Sequence, residues 1–151
     1  MERYADIVVP LAQPAYTFAL AEGLDVREGQ AVAVQFGPRR IYTGIVWRIH
    51  DRRPDAARIK TVGRTLYDRP LLDARQRALW EWMADYYMCT LGEVMRFALP
   101  QTIKPSGDSE AEFAEREYRP RTELYAALDA SLRDEERFDE TMELSLIHIS
   151  E

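Results

Sequence analysis

The chain of 151 residues contains one cysteine, two histidines and no long apolar run. Cys89 stands alone and excludes an internal disulfide, and the separation of His50 from His148 matches no metal-ligand spacing. No apolar stretch approaches the roughly 20 residues that a membrane-spanning helix needs. The first residues show no secretory or transit pattern. We therefore expect a cytoplasmic protein without a membrane span or a metal site.

Recognisable catalytic motifs are absent as well. None of the seven glycines is followed by lysine, so the chain has no phosphate loop of the kind that holds nucleotides. It has no G-x-S-x-G elbow and no Cys/His or Ser/His pair suited to nucleophilic catalysis. Glu81 and Asp85 form a carboxylate pair, but their i,i+4 spacing among other charges is typical of a solvated helix face. We expect no catalytic residue and no cofactor here.

The net charge of −6 is distributed unevenly along the chain. Residues 1–107 carry 15 Lys and Arg against 12 Asp and Glu, whereas residues 108–151 carry 5 against 14. The acidity therefore belongs to the second part. One basic patch stands out within the first part, between residues 39 and 60, and it comprises Arg39, Arg40, Arg48, Arg52, Arg53, Arg58 and Lys60.

Short apolar runs separated by Pro and Gly occupy the first seventy residues, a pattern typical of an antiparallel sheet. We predict strands over 4–9, 16–20, 30–36, 41–50 and 59–67. In the third of these, Ala31, Ala33 and Gln35 alternate with Val32, Val34 and Phe36, which predicts one buried face.

Helical periodicity follows the predicted strands. The spacing predicts an amphipathic helix over 72–88, capped by Asp73, with Arg77 as the i,i+4 partner of that aspartate. Its apolar stripe is expected to pack on the sheet, and it comprises Ala78, Leu79, Trp82, Met83 and Tyr86. A second helix is predicted over 91–98. The fold class predicted is α+β, a small antiparallel sheet or partly open barrel packed by an amphipathic helix.

The composition changes after residue 103. Residues 104–118 are rich in Ser, Gly, Asp and Glu without apolar periodicity, which predicts an exposed acidic linker. Residues 119–143 have helical spacing but are too few to close a core of their own. We therefore divide the chain into a first domain over 1–103, this linker, and the truncated start of a second, helical domain.

Aromatic and basic residues occur together in the strand-rich part, a combination that single-stranded nucleic acid sites use for stacking and charge neutralisation. By itself this signal is weak, because sheet aromatics are more often core residues and surface arginines are usually solvated. The composition permits nucleic-acid binding without establishing it.

Several strings resemble one family in order and spacing. They are Tyr4-Ala5-Asp6-Ile7-Val8-Val9-Pro10-Leu11, Val34-Gln35-Phe36-Gly37, Thr43-Gly44-Ile45-Val46, and the block from Trp82 to Pro100 that contains Ala84-Asp85-Tyr86-Tyr87 and Leu91-Gly92-Glu93-Val94. Together they resemble the opening domain of the bacterial replication-restart helicases known as primosomal protein N′, or PriA. The resemblance covers roughly residues 4–100.

The resemblance implies a domain that binds the 3′ end of the nascent leading strand at a stalled or branched replication fork. It implies that Tyr16 stacks on the terminal base and that Gly37 lets the backbone approach the nucleotide. Lys60 would face the DNA, with Arg39 and Arg40 as phosphate contacts. Thr17 departs from family members that have an aspartate at this position, which accepts hydrogen bonds from the terminal nucleotide.

The resemblance also implies a longer parent protein. A winged-helix domain would begin near residue 119, followed by two helicase lobes with a zinc-binding insertion, so the parent would be an ATP-dependent 3′-to-5′ helicase that holds zinc. This chain would lack that motor. Residues 144–151 do not continue the family pattern, and we expect a non-native tail there. Other primosome proteins and single-strand-binding protein would be partners of the full-length chain.

One alternative remains open at this point. The same sheet could serve as a protein-interaction module of the primosome, with the basic patch incidental. Phosphate contacts would give a clear dependence of DNA affinity on salt, whereas a protein-docking sheet would give little.

Overall fold

The computed structural model describes residues 2–55 and 58–117 of the chain. The strands are β1 (Tyr4–Val8), β2 (Tyr16–Ala19), β3 (Ala31–Gln35), β4 (Ile41–His50), β5 (Arg64–Thr65) and β6 (Ser106–Gly107). The helices are α1 (Ala74–Tyr87), α2 (Leu91–Ala98) and α3 (Glu110–Glu115), with a 3-10 turn over Gln101–Ile103. The predicted α+β class is confirmed, as an open antiparallel sheet with helices.

The sheet has the order β2-β1-β4-β3-β5, with β6 paired to β4. The strand predicted over 59–67 is much shorter, because this segment changes its partner midway. The Ala19 N–H donates to the Lys60 carbonyl (2.9 Å), the Val62 N–H donates to the Ala19 carbonyl (2.9 Å), and the Gly63 N–H donates to the Ala33 carbonyl (3.0 Å). The segment thus links the β2 edge to β3 without a continuous ladder.

Both faces of the sheet are covered, so the prediction of one buried face for β3 was wrong. Ala31, Val32, Ala33 and Val34 are all buried. We call the two cores the inner core and the outer core. The inner core includes Ala5, Ile7, Phe18, Val32, Val34, Val46 and Val62. The outer core lies between the sheet and the helices and includes Val8, Ala31, Ile45, Trp47, Trp80, Ala84, Val94 and Met95.

Helix α1 is attached to the sheet through Trp47 of β4. The indole of Trp47 stacks on that of Trp80, with ring centroids 6.1 Å apart. The indole Nε1–H of Trp47 donates to Glu81 Oε1 (2.9 Å), and Arg77 donates to the Trp47 carbonyl (2.7 Å). Arg77 also pairs with Glu28 (2.9 Å). The helix side that carries Arg77, Trp80, Glu81 and Ala84 therefore faces the sheet.

This orientation overturns the predicted apolar stripe. Leu79, Trp82 and Tyr86 are exposed and only Met83 of the stripe is packed against the outer core, while Ala78 is exposed. The helix has aromatic residues on two sides, and the side that contains Trp80 offers both an indole and polar partners for Trp47. Asp73 caps the helix as predicted, in a capping box with Gln76, but Arg77 pairs with Glu28 rather than with Asp73.

Helix α2 lies against the segment that follows β1, and Gly92 permits this contact. A Cβ on Gly92 would lie 1.9 Å from the Leu11 carbonyl oxygen and 2.5 Å from that of Val9. Any other residue would push the helix away from this backbone. Thr90 caps α2 in a capping box with Glu93. The glycine of the Leu91-Gly92-Glu93-Val94 string is thus required by packing.

The segment predicted as an exposed acidic linker is folded onto the sheet as far as residue 117. β6 pairs with β4, the ring of Phe113 in α3 is fully buried, and the hydroxyl of Thr43 donates to the Pro105 carbonyl (2.9 Å). Arg64 pairs with Glu117 (2.8 Å) and lies over the Phe113 ring. The absence of apolar periodicity was misleading because one aromatic side chain suffices to attach so short a helix.

The described residues, 2–55 and 58–117, belong to one compact unit. The helical region predicted over 119–143 and the tail predicted over 144–151 lie outside the described residues. Residues 104–117 thus belong with the first domain rather than to a linker, and the second domain expected from residue 119 stays a prediction.

The two neighbouring tryptophans of α1 provide a direct test of the helix orientation. Trp80 is 5% exposed and Trp82 is 55% exposed. We expect Trp80→Ala to lower the free energy of unfolding by about 3–5 kcal/mol, because it removes the ring that fills the outer core. Trp82→Ala is the matched control and should cost less than about 1 kcal/mol. Urea unfolding measures both, and equal losses would contradict this orientation.

Lys104 tests the packing of the segment after α2. Lys104 is only 4% exposed. Its Nζ donates to the carbonyls of Met95, Arg96 and Leu99 at the end of α2. Burial lowers the pKa of Lys104 below its ordinary value, so these carbonyls must offset the desolvation of the ammonium group. We expect Lys104→Met to reduce stability by about 1–3 kcal/mol, since it leaves carbonyl groups unpaired.

Arg96→Met is the control for Lys104→Met. Arg96 is exposed, and its substitution also removes a cation near the end of α2. Thermal unfolding of both variants compares them. A larger loss in Arg96→Met than in Lys104→Met would show that the buried ammonium contributes nothing.

Candidate DNA-binding surface

Gly37 and Lys60 line one shallow cavity at the rim of the sheet, which we call the Lys60 cavity. Its lining comprises Gln35, Gly37, Pro38, Arg58, Ile59, Lys60 and Thr61. The ammonium of Lys60 donates to the Gly37 carbonyl, which joins the loop after β3 to the segment beside β2. Two cations and no carboxylate line this cavity, so it favours an anionic ligand such as a phosphate group.

Tyr16 lies next to the turn that contains Gly37. Its ring packs edge-to-face on Phe36, with centroids 4.8 Å apart, and Phe36 in turn contacts Tyr42. The Tyr16 hydroxyl donates to the Gln13 side chain. The ring is half-buried, with its packed side on the inner core. Through Phe36, the half-buried Tyr16 ring is therefore joined to the turn whose Gly37 lines the Lys60 cavity.

Gly37 has a backbone requirement of its own. Its φ of 74° lies in the left-handed region, and a Cβ placed on it would meet no atom within 4 Å. The turn is closed by the Phe36 N–H, which donates to the Arg40 carbonyl (2.8 Å). Glycine is thus favoured here by conformation, and its open side leaves the backbone accessible.

The two arginines of this turn differ in their surroundings. Arg39 is exposed and, within the part of the chain described, forms no ion pair. Arg40 lies 3.6 Å from Asp108 and over the Tyr42 ring, 5.4 Å from its centroid. Arg40 is therefore partly neutralised by the segment after α2, and Arg39 is the freer of the two for phosphate.

Thr17 lines a different cavity from Gly37 and Lys60. Successive side chains of a strand point to opposite faces, so Tyr16 packs on the inner core while Thr17 faces outwards. The Thr17 hydroxyl donates to Asp6 Oδ1 (2.7 Å), and His50 Nε2 lies 3.2 Å from the same oxygen. We call this the Asp6 cavity, and it is lined by Asp6, Thr17, Arg48, His50, Arg52 and Pro54.

Sequence reasoning grouped Tyr16, Thr17, Gly37 and Lys60 into one pocket, and it overlooked Asp6 and His50. Arg48, Arg52 and Arg58 were recognised as basic but were given no site. Asp6 meets Thr17 and Arg48 only through the pairing of β1 with β2 and β4. Alternation along β2 could have indicated that Tyr16 and Thr17 face opposite sides. No signal in the string itself points to Asp6.

Residues 2–55 and 58–117 offer neither a metal site nor a membrane-spanning helix. No group of three or more His, Cys, Asp or Glu residues is placed to hold a metal ion there. No helix in the same residues is long and apolar enough to cross a membrane.

Comparison with known proteins points to one family. Residues 6–100 match a family model described as the 3′DNA-binding domain (3′BD) of PriA. The replication restart protein PriA of Rickettsia typhi is 30% identical over 102 residues, 67% of this chain. That of a Synechocystis species is 33% identical over 117 residues, 70% of this chain. The matches span 15% and 14% of those relatives.

The matched region contains most of the residues that line the two cavities, the strands that carry them, and helices α1 and α2. It also extends over more than half of the chain. The chain therefore belongs to the family of PriA 3′DNA-binding domains.

Proposed function

We propose that this chain binds the 3′ end of a DNA strand at stalled or branched replication forks. The terminal base stacks on Tyr16, and the adjacent phosphate lies at the Lys60 cavity. The observation that carries the proposal is that Tyr16 packs on Phe36, the chain neighbour of Gly37, and that Gly37 lines a cavity with two cations and no carboxylate.

The remaining basic side chains extend this surface. Arg39 contacts a phosphate from the exposed turn, and Arg40 provides a weaker contact because Asp108 competes for it. These contacts position the strand without reading its sequence. Gly37 leaves its backbone open beside the terminal nucleotide.

The proposal extends to the longer protein that the relatives' lengths suggest. There, this domain directs an ATP-dependent 3′-to-5′ restart helicase to forks, and the ATP and zinc sites belong to the parent rather than to this chain. Other primosome proteins and single-strand-binding protein are proposed partners of that full-length protein, which acts in the cytoplasm at the bacterial nucleoid.

One observation favours the alternative of a protein-interaction module. Three exposed aromatic residues of α1 contact one another: Trp82 stacks on Tyr86, Tyr86 meets Tyr87 edge-to-face, and none of the three lines either cavity. The alternative predicted from the sequence places another primosome protein on the sheet, with little dependence of DNA affinity on salt, whereas this aromatic face offers the partner α1 instead. Substitutions on α1 separate the two functions, because they leave the sheet surface intact.

Tyr16 tests stacking on the terminal base. We expect Tyr16→Ala to weaken binding to forked DNA with a free 3′-hydroxyl by about 1–3 kcal/mol, the usual contribution of a base–aromatic stack. Fluorescence anisotropy with labelled forks measures the affinity.

The wild-type chain should bind a 3′-hydroxyl fork more tightly than a 3′-phosphate fork, because an additional phosphate crowds the end.

Two controls accompany this experiment. Tyr16→Leu keeps apolar packing on the inner core, so an equal loss of binding in this variant separates stacking from misfolding. Tyr87→Ala removes a tyrosine that is 63% exposed on α1 and should leave DNA affinity unchanged. Equal affinity of the wild-type chain for both kinds of end would refute end binding, and equal losses in Tyr16→Ala and Tyr87→Ala would refute stacking on Tyr16.

Salt dependence tests the phosphate contacts. Each contact should contribute about 0.7–0.9 to the slope of log affinity against log salt. We expect Lys60→Met and Arg39→Met each to reduce the slope by about that amount, whereas the exposed Arg69→Met should not. A slope near zero for the wild-type chain would favour the protein-interaction alternative.

A further inference from the structure

The Asp6 cavity lies on the outward side of β1, β2 and β4, where the proposed stacking contact of Tyr16 does not reach. Its lining brings together a carboxylate, two guanidinium groups, an imidazole and a hydroxyl. This set differs from that of the Lys60 cavity, which has no carboxylate. The Asp6 cavity therefore suits a ligand that carries both a negative group and a hydrogen-bond donor.

Asp6 is held in place by its neighbours on both sides. The Thr17 hydroxyl and His50 Nε2 both contact Oδ1, at 2.7 and 3.2 Å. Because a carboxylate only accepts hydrogen bonds, the proton between His50 and Asp6 lies on Nε2. Both neighbours use the same oxygen, and Oδ2 has no hydrogen-bond partner among residues 2–55 and 58–117. The Asp6 side chain is 31% exposed, so a ligand can reach it.

Arg48 and Arg52 supply the cationic part of the cavity. Both are exposed, and neither forms an ion pair within the described part of the chain. Arg48 lies directly opposite Asp6 in the β1–β4 pair. The backbone of β4 therefore fixes where the Arg48 side chain begins. Guanidinium groups bind phosphate oxygens in a bidentate manner.

We propose that the Asp6 cavity is a second nucleotide subsite, in which Arg48 and Arg52 hold a phosphate and Asp6 Oδ2 accepts a hydrogen bond from the nucleotide. The donor is either a sugar hydroxyl at the strand end or the exocyclic amino group of a base. Thr17 orients the carboxylate. This subsite rests on the proposed binding of DNA and adds the residue that discriminates between nucleotides.

The Asp6→Asn substitution isolates the acceptor atom. Its amide oxygen can still accept hydrogen bonds from Thr17 and His50, while an NH₂ group replaces Oδ2 and meets the ligand as a donor. The substitution therefore reverses hydrogen bonding at one atom with little change in shape. Thermal unfolding should show a folded protein.

The probes are short single strands measured against the whole chain by fluorescence anisotropy. One pair compares a 3′-hydroxyl with a 2′,3′-dideoxy terminus, and a second pair compares terminal dC, which has an amino group, with terminal dT, which lacks one. The wild-type chain should prefer the donor-bearing member of one pair by about tenfold, as expected for a hydrogen bond to a charged group. Asp6→Asn should abolish or reverse that preference.

The cations are tested separately. Arg48→Met and Arg52→Met should weaken both members of each pair equally and reduce the salt slope by about 0.7 each for a single strand, while Arg69→Met should do neither. If Asp6→Asn keeps the full preference, or if the wild-type chain shows none in either pair, the subsite is refuted. If Tyr16→Ala leaves end binding unchanged while Asp6→Asn abolishes the preference, the stacking contact fails and the subsite stands.

Discussion

The antiparallel pairing of β1 with β4 is the constraint on which the rest of this structure depends. β4 is the longest strand, and β1, β3 and β6 all pair with it. Its register with β1 shifts between Asp6 and Ile7, so that Trp47 has no partner in β1. Such a bulge changes which side chains share a face. It leaves Trp47 on the outer core to attach α1, and it aligns Asp6 with Arg48.

The same pairing explains why the candidate surface is divided in two. β1 carries β2 on its free edge, and the alternation along β2 directs Tyr16 inwards and Thr17 outwards. Inside, Phe36 and the Gly37 turn meet the Tyr16 ring. Outside, the hydroxyl of Thr17 meets the Asp6 carboxylate. A DNA end that contacts both sides would have to pass over the β2 edge of the sheet, where the chain from Lys60 to Val62 also lies.

Local sequence signals predicted the elements well and their orientations poorly. The bounds of β4 and α2 follow from apolar runs, capping residues and Pro100, all of which act over a few positions. The orientation of α1 does not, because Trp80 and Trp82 are equally apolar and only distant contacts, with Trp47 and Glu28, distinguish them. Phe113 is a similar case, since α3 packs on β4, more than sixty residues earlier in the chain, as well as on the adjacent β6.

For the candidate site, too, the sequence predicted individual residues but not how the fold brings them together. The family resemblance predicted Tyr16, Gly37 and Lys60 as site residues, and the last two share a cavity. The resemblance could not identify Asp6, because its relation to Thr17 and Arg48 exists only once three strands are paired in register. The departure at Thr17 first indicated a lost carboxylate. In the folded chain a carboxylate lies 2.7 Å from that hydroxyl, contributed by the neighbouring strand.

The most direct test of this account is a nuclear magnetic resonance titration of the chain with a short single strand that ends in a free 3′-hydroxyl. The account predicts that the largest amide shifts occur at Tyr16, Gly37 and Lys60, with a second group at Asp6 and Thr17. Shifts confined to α1 around Trp82 and Tyr86, with none at Tyr16 or Gly37, would contradict it.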